Sequence, residues 1–144
     1  MSELEDLYNE LIMEHSMNSP YKRELIGCDF SAKGHNPSCG DEITLQVKIT
    51  DGIIEEMAYK GHGCAISQSS TSIMIETLTG KTVKEAMELT ELFIKMIKRE
   101  CNDEKLLESL EDAVAFQNVS NMPARVKCAL LAWNTLKTHL EKNN

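Results

Sequence analysis

The chain has 144 residues and a formal net charge of −8, from 23 acidic and 15 basic side chains. A chain of this length can bury a core without disulfide bonds, so we expect one domain over residues 1–144. The acidic balance disfavours a nucleic-acid partner, because a phosphate backbone repels a negative protein.

The sequence favours a cytoplasmic protein without a membrane partner. The first residues, MSELEDLYNELIMEHS, are acidic and amphipathic, unlike a signal peptide. No apolar run approaches the roughly 18 residues that a membrane span needs. The cysteines are odd in number and widely spaced, which predicts reduced thiols instead of a disulfide framework: Cys28, Cys39, Cys64, Cys101 and Cys128.

The sequence of the N-terminal half predicts one helix and three antiparallel strands. Residues 3–16 have helical periodicity, with one apolar face formed by Leu4, Leu7, Leu11 and Ile12. Residues 25–30 alternate as a short strand with Cys28 on its apolar side, and residues 43–49 alternate without exception. Asp51-Gly52 then favours a tight hairpin turn, and IIEEMAYK supplies the returning strand.

The C-terminal half reads as helical throughout. Apolar residues at helical spacing predict a helix from about Ala65 that ends before Gly80. Thr82 and Glu85 form a capping box ahead of a long amphipathic helix, and a further helix is predicted over residues 103–116. Pro123 opens a last helix with a core-facing side at Val126, Ala129, Leu130, Trp133, Lys137 and Leu140. The fold class is therefore α+β, a small three-stranded antiparallel sheet packed against several helices.

Cys64 lies in GHGCAISQSS, at the predicted start of a helix. Gly61 and Gly63 leave the space around its sulfur open. The N-terminus of the helix would favour a thiolate there, which makes Cys64 a candidate nucleophile or metal ligand. A small apolar filler is the alternative.

Two further cysteines occupy element boundaries. Cys39 lies in the turn-forming segment NPSCGD, and Asp41 follows after the flexible Gly40. A thiolate and a carboxylate can converge there, although Asp41 is equally explained as a turn residue. Cys128 points away from the apolar stripe of its helix, yet a second packed layer would also bury it.

Three thiolates and one carboxylate would complete a tetrahedral zinc site. The spacing alone is a weak signal, because the sequence contains no C-x-x-C pair. A cysteine hydrolase built on Cys64 and His62 has poor geometry, since loop residues two apart are not prearranged as nucleophile and base.

The segments NPSCGD (36–41), GHGCAIS (61–67) and RVKCALLAW (125–133) resemble, in order and separation, the SufU-type members of the IscU/NifU N-terminal family. The resemblance covers nearly the whole chain. It implies a SufU/IscU-like α+β fold with an accessible metal site at one tip. Its ligands would be Cys39, Asp41, Cys64 and Cys128, with zinc as the cofactor.

The family contains two functional types. Scaffold members carry a histidine directly before the last cysteine, where this chain has Lys127, and their central cysteine lies between two glycines, where this chain has His62. Both features resemble SufU, as does the additional segment at residues 99–120. We therefore interpret His62 as an exposed loop residue, although it could also serve as a cluster ligand.

The SufU resemblance implies a zinc-dependent sulfurtransferase with Cys39 as its catalytic residue. Cys39 would accept sulfur from the persulfide of a SufS-type cysteine desulfurase and pass it to a SufB-type assembly complex. The alternative is a scaffold that binds iron or a [2Fe–2S] cluster through the same cysteines. Arg125 would orient Asp41 or compensate thiolate charge, or is an ordinary exposed residue.

Overall fold

The computed structural model describes residues 3–142, apart from the side chain of Leu4. Three strands are followed by most of the helices, as predicted. The strands are β1 (Phe30–Asn36), β2 (Asp41–Thr50) and β3 (Ile53–His62). The α-helices are α1 (Glu3–Met17), α2 (Ala65–Leu78), α3 (Val83–Ile97), α4 (Glu104–Leu107) and α5 (Pro123–Lys142).

The sheet is antiparallel throughout, in the order β1-β2-β3. Asp51 and Gly52 both adopt positive φ, 53° and 77°, and close the predicted tight turn between β2 and β3. Asn36 pairs with Asp41 at one end of the sheet, and Glu42 pairs with His62 beside it. The β1–β2 turn and the end of β3 therefore lie together at this tip.

The core lies between one face of the sheet and a central α2. Ile43, Leu45 and Val47 of β2 are fully buried, and α2 contacts α1, α5 and β3. One buried polar side chain of α2 is hydrogen-bonded to α5: Ser70 Oγ donates to the carbonyl of Ala129 and accepts from Trp133 Nε1. These bonds fix α5 against α2.

The predicted strand over residues 25–30 is wrong. Only Phe30 of this segment belongs to β1, which continues to Asn36. Gly27 has a φ of 80°, outside the extended region, so the chain turns there. Ile26 is 91% exposed and Cys28 is half-buried, so neither belongs to the core.

The predicted helix over residues 103–116 is also only partly correct. A single α-helical turn, α4, continues as a 3₁₀ segment over Glu108–Asn121, with a non-helical break at Glu111 (φ 51°). Leu106 is 56% exposed and does not belong to the core. Except for Ala115, the buried residues recur every third position, the period of a 3₁₀ helix, at Leu107, Leu110, Ala113, Phe116 and Val119.

The remaining helices are confirmed. Thr82 and Glu85 make both hydrogen bonds of the capping box at the start of α3. The buried side of α5 is wider than predicted, because Ala132 also faces inward, whereas Lys137 reaches out to pair with Glu91 at 2.5 Å. Within residues 3–142, no helix is long and apolar enough to cross a membrane.

Candidate metal centre

The four candidate ligands come from three separate parts of the fold. Cys39 lies in the β1–β2 turn, Asp41 begins β2, Cys64 immediately precedes α2, and Cys128 lies near the start of α5. The sheet register brings the first three to one tip. Packing of α5 against β1 and α2 brings Cys128 to the same place.

Cys39, Asp41 and Cys128 form a compact cluster. One ligand atom from each, two sulfurs and a carboxylate oxygen, all lie within 4.8 Å of one another. The Cys128 thiol donates to Cys39 Sγ at 3.1 Å, and the Cys39 thiol points to the carbonyl of Ala124 at 3.8 Å. The structure therefore places side chains 89 positions apart in the sequence in direct contact.

Asp41 is fully buried, and its two oxygens have different surroundings. Oδ1 accepts a hydrogen bond from the backbone N–H of Cys64 at 2.9 Å. Oδ2 has no hydrogen-bond partner in the described part of the chain. Because a buried carboxylate oxygen without a partner is costly, it indicates a place for a cation.

Cys64 caps the N-terminus of α2, as its position in the sequence predicts. Its backbone is extended, with φ −73° and ψ 168°, and its sulfur accepts from the N–H of Ser67 at 3.5 Å. Its sulfur is not one of the three closest ligand atoms. Cys64 instead adjoins the cluster through its hydrogen bond to Asp41 and its electrostatic interaction with Cys128.

The glycines around Cys64 have a different role from the one we expected. A Cβ atom on Gly63 would lie 2.5 Å from Asp41 Oδ1, and one on Gly61 would lie 2.0 Å from the carbonyl oxygen of Glu42. Gly61 also has a φ of 127°, which other residues rarely adopt. These glycines make room for β2 and for the Asp41 carboxylate, more than for the sulfur.

The sequence left two alternatives open for Cys128, a place in the candidate metal site or burial in a second packed layer, and the structure shows features of both. Its side chain is fully buried, yet its sulfur belongs to the cluster. Burial raises the pKa of the Cys128 thiol well above its usual range, and its hydrogen bond with Cys39 adds to this effect. A metal would have to displace this proton on binding.

Arg125 is exposed, one helical turn before Cys128. The negative charge of the Cys64 thiolate, followed by a hydrogen bond with Cys128, raises the pKa of the Arg125 guanidinium. Of its two expected roles, these electrostatic interactions support charge compensation toward the sulfurs. His62 is exposed at the last position of β3, outside the compact cluster.

Asn36 was missed by the sequence reasoning. It is buried at the end of β1, and its Nδ2 lies 3.8 Å from Cys128 Sγ, where it can donate a long hydrogen bond. Its position at the start of NPSCGD was the available signal. Cys28 and Cys101 lie outside the compact cluster.

The donor set fits a borderline-soft metal ion. Two thiols and a carboxylate oxygen already converge, a third thiol adjoins them, and one oxygen of the Asp41 carboxylate has no hydrogen-bond partner among the described residues. Thiolate ligands select zinc or iron over magnesium or calcium. The arrangement can therefore hold zinc or iron.

This chain is similar to known proteins over most of its length. Residues 7–142 match the family model described as the NifU-like N terminal domain. A curated relative from Thermotoga maritima, named iron-sulfur cluster assembly scaffold protein IscU, is 39% identical, with 94% of each chain covered. The zinc-dependent sulfurtransferase SufU of Bacillus subtilis is 34% identical, with 96% of this chain and 92% of SufU covered.

Solved structures show the same fold. A protein from Fervidobacterium islandicum, named as a candidate iron-sulfur cluster assembly scaffold protein for the SUF system, is 38% identical with a TM-score of 0.85. The alignment covers 91% of this chain and 94% of that protein. The N-terminal part of a NifU-like protein from Brucella abortus has a TM-score of 0.80 at 25% identity, covering 99% of this chain and all of that one.

Proposed function

The chain belongs to the NifU-like N terminal domain family, and on that premise we propose that it is a zinc-dependent sulfurtransferase of iron-sulfur cluster assembly. The observation that carries the proposal is the cluster of Cys39, Asp41 and Cys128, in which one oxygen of the buried Asp41 carboxylate has no partner among the described residues. We also propose that residues 1–144 form a single domain, that the protein is cytoplasmic and that its thiols are reduced.

Zinc would be held by Cys39, Asp41, Cys64 and Cys128. When bound, it would keep these thiols deprotonated at neutral pH. The fully buried Cys128 and the helix-capping Cys64 lie on rigid elements, and Asp41 is fixed by its bond to the Cys64 amide. These three residues are suited to retaining the ion.

Cys39 is the proposed sulfur acceptor. It lies in a turn between two strands and is half-buried, so it can move and be reached more easily than Cys128. Its thiolate would attack the terminal sulfur of a donor persulfide. A new S–S bond forms to Cys39, the donor's S–S bond breaks, and the donor cysteine leaves as a thiolate.

The proposed donor is the persulfide of a SufS-type cysteine desulfurase, and the proposed acceptor is a SufB-type assembly complex. The similarity to the SufU protein of Bacillus subtilis supports this direction. Lys127 before the last cysteine also resembles SufU more than the scaffold proteins.

The first experiment measures the metal content of the freshly purified protein. It also measures the rate of a SufS-type desulfurase with this protein added. We expect one zinc ion per chain and a faster desulfurase. Cys39→Ala should abolish the stimulation, whereas Cys101→Ala should keep it, because Cys101 lies outside the compact cluster. Stimulation that survives Cys39→Ala, or protein purified without zinc, would refute the proposal.

A scaffold for a [2Fe–2S] cluster is the second candidate. It is favoured by the 39% identity to the Thermotoga maritima scaffold protein and by a donor set that suits iron as well. Anaerobic reconstitution with iron and sulfide separates the two functions. A stable stoichiometric cluster that transfers to an apoprotein supports the scaffold, and colourless protein that retains zinc supports the sulfurtransferase.

A further inference from the structure

A long groove begins beside the metal centre, between β1 and α5. Its volume is about 640 Å³. One wall is formed by every residue from Ala32 to Ser38, and the other by a stripe of α5 residues at spacings of three and four from Lys127 to Lys142. The groove thus follows one strand and one helix face.

The wall formed by β1 is an open sheet edge. The strand order is β1-β2-β3, and within residues 3–142 no strand pairs with the outer side of β1. Consecutive strand residues point to opposite faces of a sheet, so a groove lined by all five strand residues from Ala32 to Asn36 follows the edge. An edge presents backbone N–H and C=O groups that can pair with another strand.

The charge of this groove is opposite to that of the chain. Its lining contains Lys33, Lys127, Lys142, His35 and His139 and no acidic residue, whereas the net charge of the protein is −8. None of these three lysines makes an ion pair among the residues that the structure describes. The groove is complementary to carboxylates.

The dimensions suit an extended polypeptide. The strand part of the first wall, from Ala32 to Asn36, extends over about 13 Å at ~3.3 Å per residue, and Pro37 and Ser38 of the turn continue it. From Lys127 to Lys142 a helix extends over about 22 Å, at ~1.5 Å per residue. A segment of about five extended residues could pair along the strand, and the helix wall is long enough for about six or seven, more than a small metabolite would fill.

We propose that this groove binds an extended acidic segment of a partner protein, which adds to β1 as a fourth strand and places carboxylates against Lys33, Lys127 and Lys142. Backbone pairing would supply affinity, and the lysines would select acidic side chains. The inference rests on the proposed function in one respect: Ser38 and Lys127 line the groove next to Cys39 and Cys128, so the segment would hold the partner beside the sulfur acceptor.

The test uses a fluorescein-labelled eight-residue peptide of alternating glutamate and threonine, titrated with the full-length protein and followed by fluorescence anisotropy. We expect saturable binding that weakens as salt is raised from about 10 to 150 mM. The peptide with glutamine for glutamate should bind at least about tenfold more weakly. Every second backbone nitrogen of the peptide can be methylated in two ways, at the odd or at the even positions. One of these two methylated peptides should not bind, because it lacks the N–H groups that would pair with β1.

The matched variants are Lys33→Ala/Lys127→Ala in the groove and Lys84→Ala/Lys98→Ala outside it, which remove the same charge. Because two exposed charge pairs are lost, the groove variant should bind the acidic peptide about two- to thirtyfold more weakly, and the control variant should bind it normally. Equal binding of the glutamine peptide, equal affinity of the two variants, or no saturable binding would overturn the proposal.

Cys39→Ala separates this inference from the proposed function. The variant should bind the peptide like the unmodified protein, because Cys39 is not among the groove residues. If the protein accepts sulfur but binds no acidic peptide, only the proposal for the groove is overturned. If it binds the peptide but accepts no sulfur, only the proposed function is overturned.

Discussion

The backbone N–H of Cys64 donates a hydrogen bond to Asp41 Oδ1 at 2.9 Å, across 23 positions of sequence. This contact joins the start of α2 to the start of β2. The other oxygen of Asp41 is buried and has no hydrogen-bond partner among the described residues. One carboxylate therefore bonds to the start of a helix and leaves one oxygen available for the proposed metal.

Asp41→Ala should lower zinc affinity strongly. Loss of a supporting hydrogen bond at a metal site costs about 10- to 100-fold in affinity, and this change removes a proposed ligand as well. Competition with a chromophoric chelator measures the affinity. Glu42→Ala is the matched control, because Glu42 is the next residue of β2 and is exposed; equal affinities for both variants would contradict the assignment of Asp41.

Gly63→Ala should weaken zinc binding while leaving the fold intact. The added Cβ atom would lie 2.5 Å from Asp41 Oδ1, so the carboxylate must move away from its position beside Cys64. Zinc affinity and the circular dichroism of the metal-free protein are measured together. Native zinc affinity in this variant would show that the position of Asp41 is not critical.

Removal of the metal should lower the melting temperature. The proposed ligands join the β1–β2 turn, α2 and α5, so zinc would bind the folded state preferentially. Zinc at 100 times its dissociation constant stabilises the fold by about 2.7 kcal/mol, which corresponds to a shift on the order of 10 °C at this chain length. Differential scanning calorimetry before and after chelation measures it, and an unchanged transition after verified zinc removal would count against a structural metal.

Arg125→Ala should weaken zinc binding modestly. Three thiolates and a carboxylate leave negative charge around a divalent ion, and the Arg125 guanidinium interacts with Cys64 and Cys128. Because Arg125 is exposed, we expect a loss of only about two- to fivefold. Arg125→Lys keeps the charge and should recover part of the affinity; a loss as large in Arg125→Lys as in Arg125→Ala would argue against charge compensation.

Thr82→Ala should destabilise the protein by about 1 kcal/mol through loss of the α3 cap. In the native fold Thr82 N donates to Glu85 Oε1 at 3.0 Å, and this bond holds the pKa of Glu85 below its ordinary value of 4.5. The contribution of the ionised Glu85 is therefore present above pH 4.5 and is lost as the pH falls through the lower folded-state pKa. Urea denaturation between pH 3 and 7 measures both effects.

Glu85→Gln is the control for this pH dependence. Glutamine can keep the reciprocal hydrogen bond of a capping box but does not titrate. The difference in stability between this variant and the native protein should change between pH 3 and 5. A constant difference would contradict the role assigned to the Glu85 carboxylate.

Elements with strong local signals were predicted correctly. The Asp51-Gly52 turn, the alternation of β2 and the Thr82 capping box depend on nearby residues, so they can be read directly from the chain. The 3₁₀ segment was missed although its signal was present. Its apolar residues recur every three positions from Leu107 to Val119, and we interpreted this repeat as an α-helical stripe.

The sequence by itself determined the hairpin, the long helices and the residues with metal-binding chemistry, because turn preferences, capping and hydrophobic period act over a few residues. Only the tertiary structure decided which of those residues meet. Contact between Cys39 and Cys128 depends on α5 packing against β1 and α2, and the free oxygen of Asp41 depends on its bond to Cys64. Such relationships join segments that are distant in the chain, so no local pattern encodes their geometry.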